Sequence, residues 1–432
     1  MFKKILVANR GEISLRVIRA CKELGIPTVA IYSDVDSLSL HTKFADEAIC
    51  VGPGDPRRSY LNIPAIIAAA ELTNADAIHP GYGFLSENAE FSDICNDNNL
   101  SFIGPSADII NIMGNKSVAK ETMKSFGIPV IPGSQGNIDS VNDGLKVAEE
   151  IGYPVIIKAA SGGGGRGMRI VNNQSEFELS FSTAQSEAKI SFNDSNVYLE
   201  KYFINPKHIE IQIIADSNGN VYSLLDRECS VQRRHQKIVE EAPSPVISEE
   251  IRNKMSEISI KAAKDVKYIG VGTMEYIYDI QDDNFYFMEM NTRVQVEHPV
   301  TEMILNYDIV KNQILCHAGL SLPSWLENMS PRGHAIECRI NAEDPANNFM
   351  PSPGLITSLH LPGGNGVRVD THIYAGYTVP ANYDSMISKI IVHSPSRNES
   401  IKKMCCVLDE CVIEGIKTTI PFQKQVLRSE EF

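Results

Sequence analysis

The sequence predicts a multi-domain protein of combined α/β and α+β class, with a doubly wound parallel sheet at its N-terminal end and antiparallel strands after it. Short apolar runs alternate with helical patterns through roughly the first quarter of the chain, as in successive βα units. A cluster of Pro and Gly at 127–133 indicates a domain boundary. Beyond it, the segment 208–213 alternates polar residues with isoleucines, which is typical of a half-buried antiparallel strand.

The composition excludes several classes of protein. The chain has 432 residues, with 54 acidic and 40 basic side chains, 43% hydrophobic and 22% charged residues, which excludes a disordered, collagenous or coiled-coil chain. The net charge of −14 argues against bulk binding of nucleic acid, so any polyanion site must be local. The nine cysteines are scattered without a C-x-x-C pair, and neither a signal-peptide pattern nor a long apolar run occurs. We therefore expect a cytoplasmic protein with reduced thiols and no membrane span.

In the N-terminal part, strands are predicted at four apolar runs: 5–8, 28–32, 75–79 and 100–103. A parallel sheet binds its ligands at the carboxyl ends of its strands. The turn 8–12 after the first strand carries one glycine where a dinucleotide fingerprint needs three, which argues against an NAD-binding domain. The segment 79–88, with a proline and two glycines, is by itself interpreted as a turn. A helix is predicted at about 116–126, before the domain boundary.

A run of four glycines lies between two predicted strands. The first strand ends in Lys158, and the second begins near Met168. Glycines let backbone N–H groups approach an anion, and Lys158 adds a positive charge for phosphates. No Gly-Lys-Ser/Thr follows, so the loop is not a Walker A motif. We predict a hairpin flap over phosphates; the alternative, a flexible linker, is disfavoured by the two flanking apolar strands.

Two carboxylates are predicted to face each other across the next hairpin. If this hairpin is symmetric about Asp282, Glu275 and Glu289 lie opposite each other on one face. Opposed carboxylates repel unless they share a proton or hold a cation between them. Oxygen ligands that follow a phosphate loop favour Mg²⁺ or Mn²⁺ as this cation.

A polar stripe continues the second strand of this hairpin. Acid, amide, guanidinium, amide and acid occupy alternate positions: Glu289, Asn291, Arg293, Gln295 and Glu297. Most intervening residues are apolar, so an extended segment presents one continuous polar face. Such a face can place metal ligands, an anion-binding arginine and a general base in order. The alternative is an ordinary amphipathic strand with a solvated face. The presence of Asn and Gln beside acidic residues argues against this alternative.

A cationic stretch lies inside this acidic protein. Between Asp226 and Lys237 the chain carries three arginines and one histidine, followed by the lysine itself. Such groups suit a small anion such as bicarbonate or phosphate. Taken alone, the stretch is equally compatible with a salt-bridged surface loop.

Together these motifs resemble those of biotin carboxylase, an ATP-grasp enzyme, over essentially the whole chain. The resemblance rests on an ordered set of segments: 4–13, 79–88, the glycine loop after Lys158, 226–237, 288–299, 374–377 and 383–385. It implies three domains, namely an N-terminal doubly wound domain at 1–113, an ATP-grasp domain at 114–330 with a lid at about 131–203, and a C-terminal mixed α/β domain at 331–432. Members of the family usually continue further, so we expect the C-terminal domain to be truncated.

The resemblance implies an ATP-dependent ligase that forms carboxyphosphate from MgATP and bicarbonate and transfers its CO₂ unit to N1 of biotin on a separate biotin carboxyl carrier protein. ATP would contact residues spread along the chain: Lys116, Lys158, Gly163, Gly164, Gly165, Glu200, Lys201, Phe203, His208, Gln232 and His235. Glu275, Glu289 and Asn291 would hold the metal. Two Mg²⁺ or Mn²⁺ ions are expected, because charge must be neutralised on both the β and the γ phosphate. A closed lid would shield the carboxyphosphate from water.

The resemblance also implies how bicarbonate and biotin are bound. Bicarbonate would contact a lysine, an arginine, an amide and a backbone group: Lys237, Arg293, Gln295 and Val296. Glu297 would deprotonate it, and Tyr82 and Arg339 would contact biotin. A guanidinium suits a developing ureido oxyanion because it is permanently charged and donates two hydrogen bonds; without the resemblance, Arg339 would be interpreted as part of an inter-domain salt bridge. The predicted catalytic residues are Glu297, Arg339, Lys237 and Arg293.

The expected assembly is acetyl-CoA carboxylase, in which this chain would catalyse the first half-reaction toward malonyl-CoA and fatty acids. Carboxyltransferase subunits would be further partners, and a homodimer is expected from the resemblance. The same catalytic chain in a pyruvate or other acyl-CoA carboxylase is the first alternative. The second is a nucleotide-binding scaffold inactivated by its short C-terminus, against which the retained charged residues argue. Arg57 and Arg58 form an unusually basic pair with no assigned role.

Overall fold

The structure of the protein, a computed structural model, describes residues 1–160, 168–192 and 194–432. The predicted glycine loop, with Gly163, Gly164 and Gly165, lies outside the described residues. The chain forms two compact units. The first unit consists of Met1–Thr122, His208–Tyr276 and Glu289–Phe432, and the second of Met123–Lys207 and Ile277–Met288.

The N-terminal part of the first unit contains the predicted parallel sheet. Its strands are β1 (Ile5–Val7), β2 (Thr28–Ser33), β3 (Glu47–Gly52), β4 (Ala77–His79) and β5 (Ser101–Phe102). They lie in the order β3-β2-β1-β4-β5, and every neighbouring pair is parallel. The helices of this part are α1 (Gly11–Glu23), α2 (Leu40–Phe44), α3 (Ile63–Thr73), α4 (Ala89–Asp97) and α5 (Ala107–Gly114), and α6 (Lys116–Ser125) begins in this unit and ends in the second.

The first strand is apolar throughout because both of its faces are buried. Leu6 packs in one hydrophobic cluster, with Ile78 of β4, whereas Ile5 and Val7 pack in another cluster, with Val17 of α1. This is the expected environment of a central parallel strand covered by helices on both faces. The strand order reverses between β1 and β4, so the loops after these strands meet at a topological switch point, where α/β sheets bind ligands.

The second unit contains the two strands predicted to flank the glycine loop. Strands β6 (Val155–Ala159), β7 (Met168–Val171) and β8 (Val197–Lys201) form an antiparallel sheet in the order β7-β6-β8. Helices α7 (Val141–Ile151) and α8 (Phe177–Phe192) belong to the same unit. Phe177 and Phe181 of α8 pack on Val155 and Leu199 of the sheet, which accounts for the apolar pattern of both strands.

The remaining elements of the described residues form one large sheet, several two-stranded sheets and further helices. The strands are β9 (Lys207–Ala215), β10 (Val221–Arg233), β11 (Gln236–Ala242), β12 (Gly270–Asp279), β13 (Asn284–Asn291), β14 (His334–Asn341), β15 (Glu343–Asp344), β16 (Met350–Pro351), β17 (Gly354–Leu355), β18 (Ser358–His360), β19 (Val367–Thr371), β20 (Thr378–Val379), β21 (Met386–Ser394) and β22 (Val412–Glu414). The helices are α9 (Glu249–Asp265), α10 (His298–Leu305), α11 (Ile309–His317), α12 (Arg397–Glu410) and α13 (Ile420–Leu427). Eight strands form one sheet in the order β13-β12-β9-β10-β11-β14-β21-β19.

The prediction that the segment 208–213 is a half-buried strand is wrong, since both faces of β9 are buried. Ile209 and Ile211 are 0% exposed on one face, and Glu210 and Gln212 are 0% exposed on the other. The polar face is covered because the guanidinium of Arg227, on the neighbouring strand β10, lies against both polar side chains. The interpretation of 226–237 as a surface loop is wrong for most of the stretch, which lies on β10 and β11 with Arg227 0% exposed, and holds only for the exposed residues 234–236 around the turn.

The polar stripe is not one extended strand. Strand β13 ends at Asn291, and Glu297 directly precedes α10. Pro299 lies in the first turn of this helix, where its missing N–H has no intrahelical acceptor to lose. The chain therefore turns between Asn291 and Glu297, and tertiary contacts rather than strand alternation bring the polar side chains together.

All nine cysteines are free thiols, as predicted. Among the helices of the described ranges, none combines the length and the apolar character needed to cross a membrane.

Candidate active site

Lys237 lies at the centre of a buried group of charges in the first unit. Its Nζ contacts Glu210 and lies 2.9 Å from Oε1 of Glu275 and 2.7 Å from Oε1 of Glu297. These carboxylates come from β9, β12 and the turn before α10, so three distant segments converge on one ammonium. Burial lowers the pKa of Lys237, but Glu210 and Glu297 raise it well above its ordinary value. Lys237 is therefore an ammonium at neutral pH.

Arg227 holds Glu210 in place beneath this lysine. Its Nη2 and Nε donate to Oε2 of Glu210 at 3.0 and 3.2 Å, and its Nη1 donates to Gln212 at 2.6 Å and to Thr301 at 3.1 Å. The other oxygen of Glu210 is left to face Lys237. Burial raises the pKa of Glu210, but Lys237 and Arg227 lower it well below its ordinary value, so Glu210 is ionised.

A set of possible metal ligands lies beside Lys237. Nε2 of His208 is 3.0 Å from Oε2 of Glu275 and 3.3 Å from Oε1 of Glu210, and the ligand atoms of these three residues lie within 4.8 Å of one another. Asn291 donates to Oε1 of Glu275 at 2.7 Å. Carboxylate oxygens are ligands that suit Mg²⁺ or Mn²⁺, so the carboxylates of Glu210 and Glu275 fit the predicted metal.

Of the predicted metal ligands, Glu275 and Asn291 are in contact, whereas Glu289 lies in a different pair. Oε2 of Glu289 is 2.9 Å from Nζ of Lys116, a residue predicted to bind ATP. His208 and Glu210 join Glu275 in the group that the structure brings together. The sequence placed His208 among the nucleotide residues and did not single out Glu210, although both lie on the polar face of β9.

The residues predicted to bind bicarbonate are linked through Glu275. Lys237 and Gln295 both donate to Oε1 of Glu275, at 2.9 and 3.0 Å. Nη1 of Arg293 donates to Oε1 of Gln295 at 3.0 Å, and its Nε donates to Oε2 of Glu87 at 2.8 Å. Glu87 belongs to the segment 79–88 that sequence reasoning alone interpreted as a turn.

The predicted base, Glu297, lies between two cations. It is 0% exposed; Oε1 accepts from Lys237 at 2.7 Å and Oε2 accepts from Nη2 of Arg339 at 2.9 Å. Burial raises the pKa of Glu297 and so does Glu210, but Lys237 and Arg339 lower it below its ordinary value overall. Glu297 is therefore ionised at neutral pH, which is the state a general base requires.

Behind Arg339, two further carboxyl groups lie opposite each other. Glu240 of β11 pairs in register with Glu337 of β14, and both are 0% exposed. Nε of Arg339 donates to Oε1 of Glu240 at 2.5 Å. Burial raises the pKa of Glu240 to about 7 and that of Glu337 well above its ordinary value. Glu337 therefore holds a proton where Glu297 does not, and the sequence identified neither Glu240 nor Glu337.

Tyr82, predicted near biotin, lies at the switch point of the parallel sheet. The amide of Asn9, just after β1, donates to the carbonyls of Pro80 and Tyr82 at 2.7 Å each and so joins the two loops. The hydroxyl of Tyr82 donates to Oε1 of Glu12 on α1. Oε1 of Glu12 is also 3.1 Å from Nζ of Lys389 on β21.

Some of the residues of the first unit that are predicted to bind the nucleotide are in contact with each other, and others are not. Nε2 of Gln232 is 3.1 Å from Nδ1 of His208, whereas His235 is exposed in the turn between β10 and β11. Burial lowers the pKa of His208, but its contacts with Glu210 and Glu275 raise it to about 9.

The second unit contains four of the predicted nucleotide residues. Nζ of Lys158 is 2.5 Å from Oε2 of Glu200, so these two residues form an ion pair across β6 and β8. Lys201 donates to the carbonyl of Gly152 at 3.0 Å, and the ring of Phe203 lies 5.0 Å from that of Tyr286. Their role in ATP binding stays a prediction.

Three family profiles match successive parts of the chain. They are described as "Biotin carboxylase, N-terminal domain" at residues 1–110, "Carbamoyl-phosphate synthase L chain, ATP binding domain" at residues 115–325 and "Biotin carboxylase C-terminal domain" at residues 337–432. The resemblance found in the sequence and the predicted fold class are thereby confirmed.

Individual relatives agree with these profiles. The chain is 53% identical to biotin carboxylase 1 of Bacillus subtilis, over 100% of this chain and 96% of that protein. It is 51% identical to one of the pyruvate carboxylase subunits of Methanothermobacter thermautotrophicus, over 100% of this chain and 88% of that protein. Among solved structures, the biotin carboxylase domain dimer of Hydrogenobacter thermophilus 2-oxoglutarate carboxylase, in complex with MgADP, ADP and bicarbonate, matches with a TM-score of 0.90 at 48% identity and covers 100% of this chain and 95% of that chain.

Proposed function

The chain belongs to the biotin carboxylase family of ATP-grasp ligases, and we propose on this basis that it carboxylates biotin on a separate biotin carboxyl carrier protein, with ATP and bicarbonate, as the first half-reaction of acetyl-CoA carboxylase. The single observation that carries the proposal is the position of Glu297, a buried and ionised carboxylate held between Lys237 and Arg339. This arrangement supplies a base and two fixed cations at one point, as required for deprotonating bicarbonate and stabilising the anions that follow.

In the first step, Glu297 takes the proton of bicarbonate, and the resulting carbonate oxygen attacks the γ-phosphorus of ATP. The bond from this phosphorus to the bridging β-phosphate oxygen breaks, and ADP leaves as carboxyphosphate forms. Three side chains orient the bicarbonate through their N–H donors: Lys237, Gln295 and Arg293. In the structure, these donors contact carboxylate and amide oxygens of the protein. Once Glu297 is protonated, its attraction for Lys237 and Arg339 weakens. Both cations then become available to the anionic reactants.

A divalent ion, when bound, neutralises charge on the phosphates of ATP. Glu275 would hold it, with Glu210, Glu289 and Asn291 as further ligands. Because Oε1 of Glu275 already accepts from Lys237 and Gln295, this carboxylate joins the metal site to the bicarbonate site. Mg²⁺ and Mn²⁺ are both compatible with these donors.

In the second step, the carboxyl carbon of carboxyphosphate passes to N1 of biotin. The bond from this carbon to the phosphate oxygen breaks, the departing phosphate takes the N1 proton, and the ureido anion formed as N1 loses this proton is stabilised by Arg339. Its guanidinium is oriented by Glu240 through Nε at 2.5 Å and by Glu297 through Nη2 at 2.9 Å, so the donor directions are fixed before biotin arrives. Tyr82 would lie against the biotin ring, with its hydroxyl held by Glu12.

The decisive assay is bicarbonate-dependent ATP hydrolysis, measured with and without free biotin. We expect hydrolysis to require bicarbonate and to be stimulated by biotin, with carboxybiotin formed from labelled bicarbonate. Absence of stimulation by biotin would refute the catalytic proposal and favour a nucleotide-binding scaffold.

The second candidate is the same catalytic role in a pyruvate carboxylase, which is favoured by the 51% identity to a pyruvate carboxylase polypeptide over the whole of this chain. Identification of the biotinylated carrier and the carboxyltransferase that co-purify with the protein distinguishes the two assemblies. Homodimerisation, proposed from the family, is tested by light scattering of the purified chain.

A further inference from the structure

A lysine lies in the interior of the large sheet, in a position where a charge needs partners. Lys389 on β21 is 0% exposed and pairs in register with Arg339 on β14 and with Asp370 on β19. Directly opposed residues of antiparallel strands project from the same face. An unpaired ammonium is strongly disfavoured in such an environment, so the contacts of Lys389 indicate what keeps it there.

Two partners of Lys389 lie outside the sheet, on segments far apart in sequence. Its Nζ donates to the carbonyl oxygen of Val296 at 2.8 Å and lies 3.1 Å from Oε1 of Glu12. The same oxygen of Glu12 accepts from the hydroxyl of Tyr82. One ammonium therefore connects the segment predicted to bind bicarbonate with the tyrosine predicted to contact biotin.

We propose that Lys389 is a positioning residue that holds the Val296–Glu297 peptide and the Glu12–Tyr82 pair in a fixed relation. This inference rests on the proposed function. The carbonyl of Val296 and the N–H of Glu297 belong to one rigid planar peptide unit, so a contact on that carbonyl fixes the backbone from which Glu297 extends. Glu12 transmits the same constraint to Tyr82.

The charge of Lys389 is secured by several carboxyl groups. Burial lowers its pKa, but the charges of Glu12 and Asp370 raise it above its ordinary value. The ammonium thus keeps all its donors, of which one is aimed at Val296 and one at Glu12. If Lys389 only neutralised Glu12, loss of its contact with Val296 would not affect catalysis. Kinetic measurements on variants therefore distinguish the two roles.

Two variants separate positioning from charge neutralisation. Lys389→Met removes the contact with Val296 and leaves Glu12 without its cation. The double variant Lys389→Met/Glu12→Gln removes both charges, and the introduced amide oxygen still accepts from Tyr82. We expect both variants to raise the KM for bicarbonate roughly tenfold and to lower biotin-stimulated kcat, since a charge-assisted hydrogen bond is lost in both. The double variant should regain the Tm that the single variant loses.

Arg252→Met provides a matched control. Arg252 also contacts a carboxylate and a carbonyl, through Nε at 2.5 Å from Oδ1 of Asp226 and Nη2 at 3.1 Å from the oxygen of Ser244. This substitution should lower Tm without changing KM or kcat. An equal rise in KM in Arg252→Met would overturn the inference, because the effect would then be general.

The inference is also overturned if KM and kcat of the double variant return to within about twofold of wild type. Loss of a charge-assisted hydrogen bond should change these constants by more than about twofold. The two hypotheses fail differently. Wild-type protein without bicarbonate- and biotin-dependent ATP hydrolysis refutes the proposed function. An active wild type with a restored double variant refutes only the role of Lys389.

Discussion

Replacing Glu297 by glutamine tests the predicted base. The carboxylate accepts from Lys237 at 2.7 Å and from Arg339 at 2.9 Å and is 0% exposed. Glutamine keeps one acceptor oxygen and presents an amide N–H₂ to the other cation, so one charge-assisted hydrogen bond is lost. This loss lowers the free energy of unfolding by about 1.5–3 kcal/mol.

The effect on catalysis should exceed the effect on stability. Loss of a general base costs roughly 10²–10⁴ in rate, about 3–5 kcal/mol in activation free energy. We expect carboxybiotin formation from labelled bicarbonate to fall by this factor. ATP binding, followed by equilibrium titration with a fluorescent analogue, should stay nearly intact because the contacts of Glu297 are to Lys237 and Arg339.

Glu241→Gln is the matched control for this variant. Glu241 is 5% exposed and accepts from Nε of Arg397 at 2.6 Å and from Nε2 of His334 at 2.8 Å, so it also lies between two basic groups. It should lose comparable stability and keep its activity. Carboxylation by Glu297→Gln within about tenfold of this control would contradict the assignment of the base, and loss of ATP binding would make Glu297 a metal ligand instead.

Three further predictions concern the cations, the acid stability and the metal. Arg339→Lys should lower the biotin-stimulated rate at least about tenfold while bicarbonate-dependent ATP hydrolysis without biotin persists, since one ammonium does not reproduce the guanidinium fork that contacts Glu240 and Glu297. Both rates are measured by phosphate release, and an unchanged ratio between them would contradict the role of Arg339 in stabilising the biotin anion. Burial lowers the pKa of His41 to about 4, below its value of about 6.5 in an unfolded chain, so its contribution to stability is present above pH 6.5 and is lost as the pH falls toward 4. Between pH 7 and 5, the free energy of unfolding in urea should therefore fall by about 2 kcal/mol more for the wild type than for His41→Gln. Equal decreases in the two proteins would exclude His41 as the cause. Glu275→Gln should weaken Mn²⁺ binding at least about tenfold by electron paramagnetic resonance, and unchanged affinity would place the ion elsewhere.

Sequence patterns were sufficient for the elements whose residues are close along the chain. The apolar runs located β1, β2, β4 and β5, because a strand buried on both faces is apolar at every position. The alternation after Glu289 selected Asn291, Arg293, Gln295 and Glu297, and the structure links the first three of these through hydrogen bonds. The extended conformation assumed for this segment was wrong, since strand β13 ends at Asn291 and the chain turns before Glu297, which directly precedes α10.

Patterns within one segment did not reveal the partners of these residues. Glu210 and Gln212 satisfied the pattern of a strand with one solvated face, yet Arg227 on the next strand buries them. The position of Lys389 within the apolar run of β21 was a signal in the sequence that this residue is unusual. Its partners, Glu12 and Val296, are far away in sequence and could not be inferred from that run.

By itself, the sequence determined the family, the class of fold and most of the polar groups of the candidate site, because these depend on local periodicity and on short motifs. Only the tertiary structure decided which groups are charged. Glu297 is ionised because Lys237 and Arg339 reach it from other strands, whereas Glu337 stays protonated opposite Glu240. Strand register sets these pairings, and the protonation of a buried group is fixed by burial and by the charges that register brings beside it.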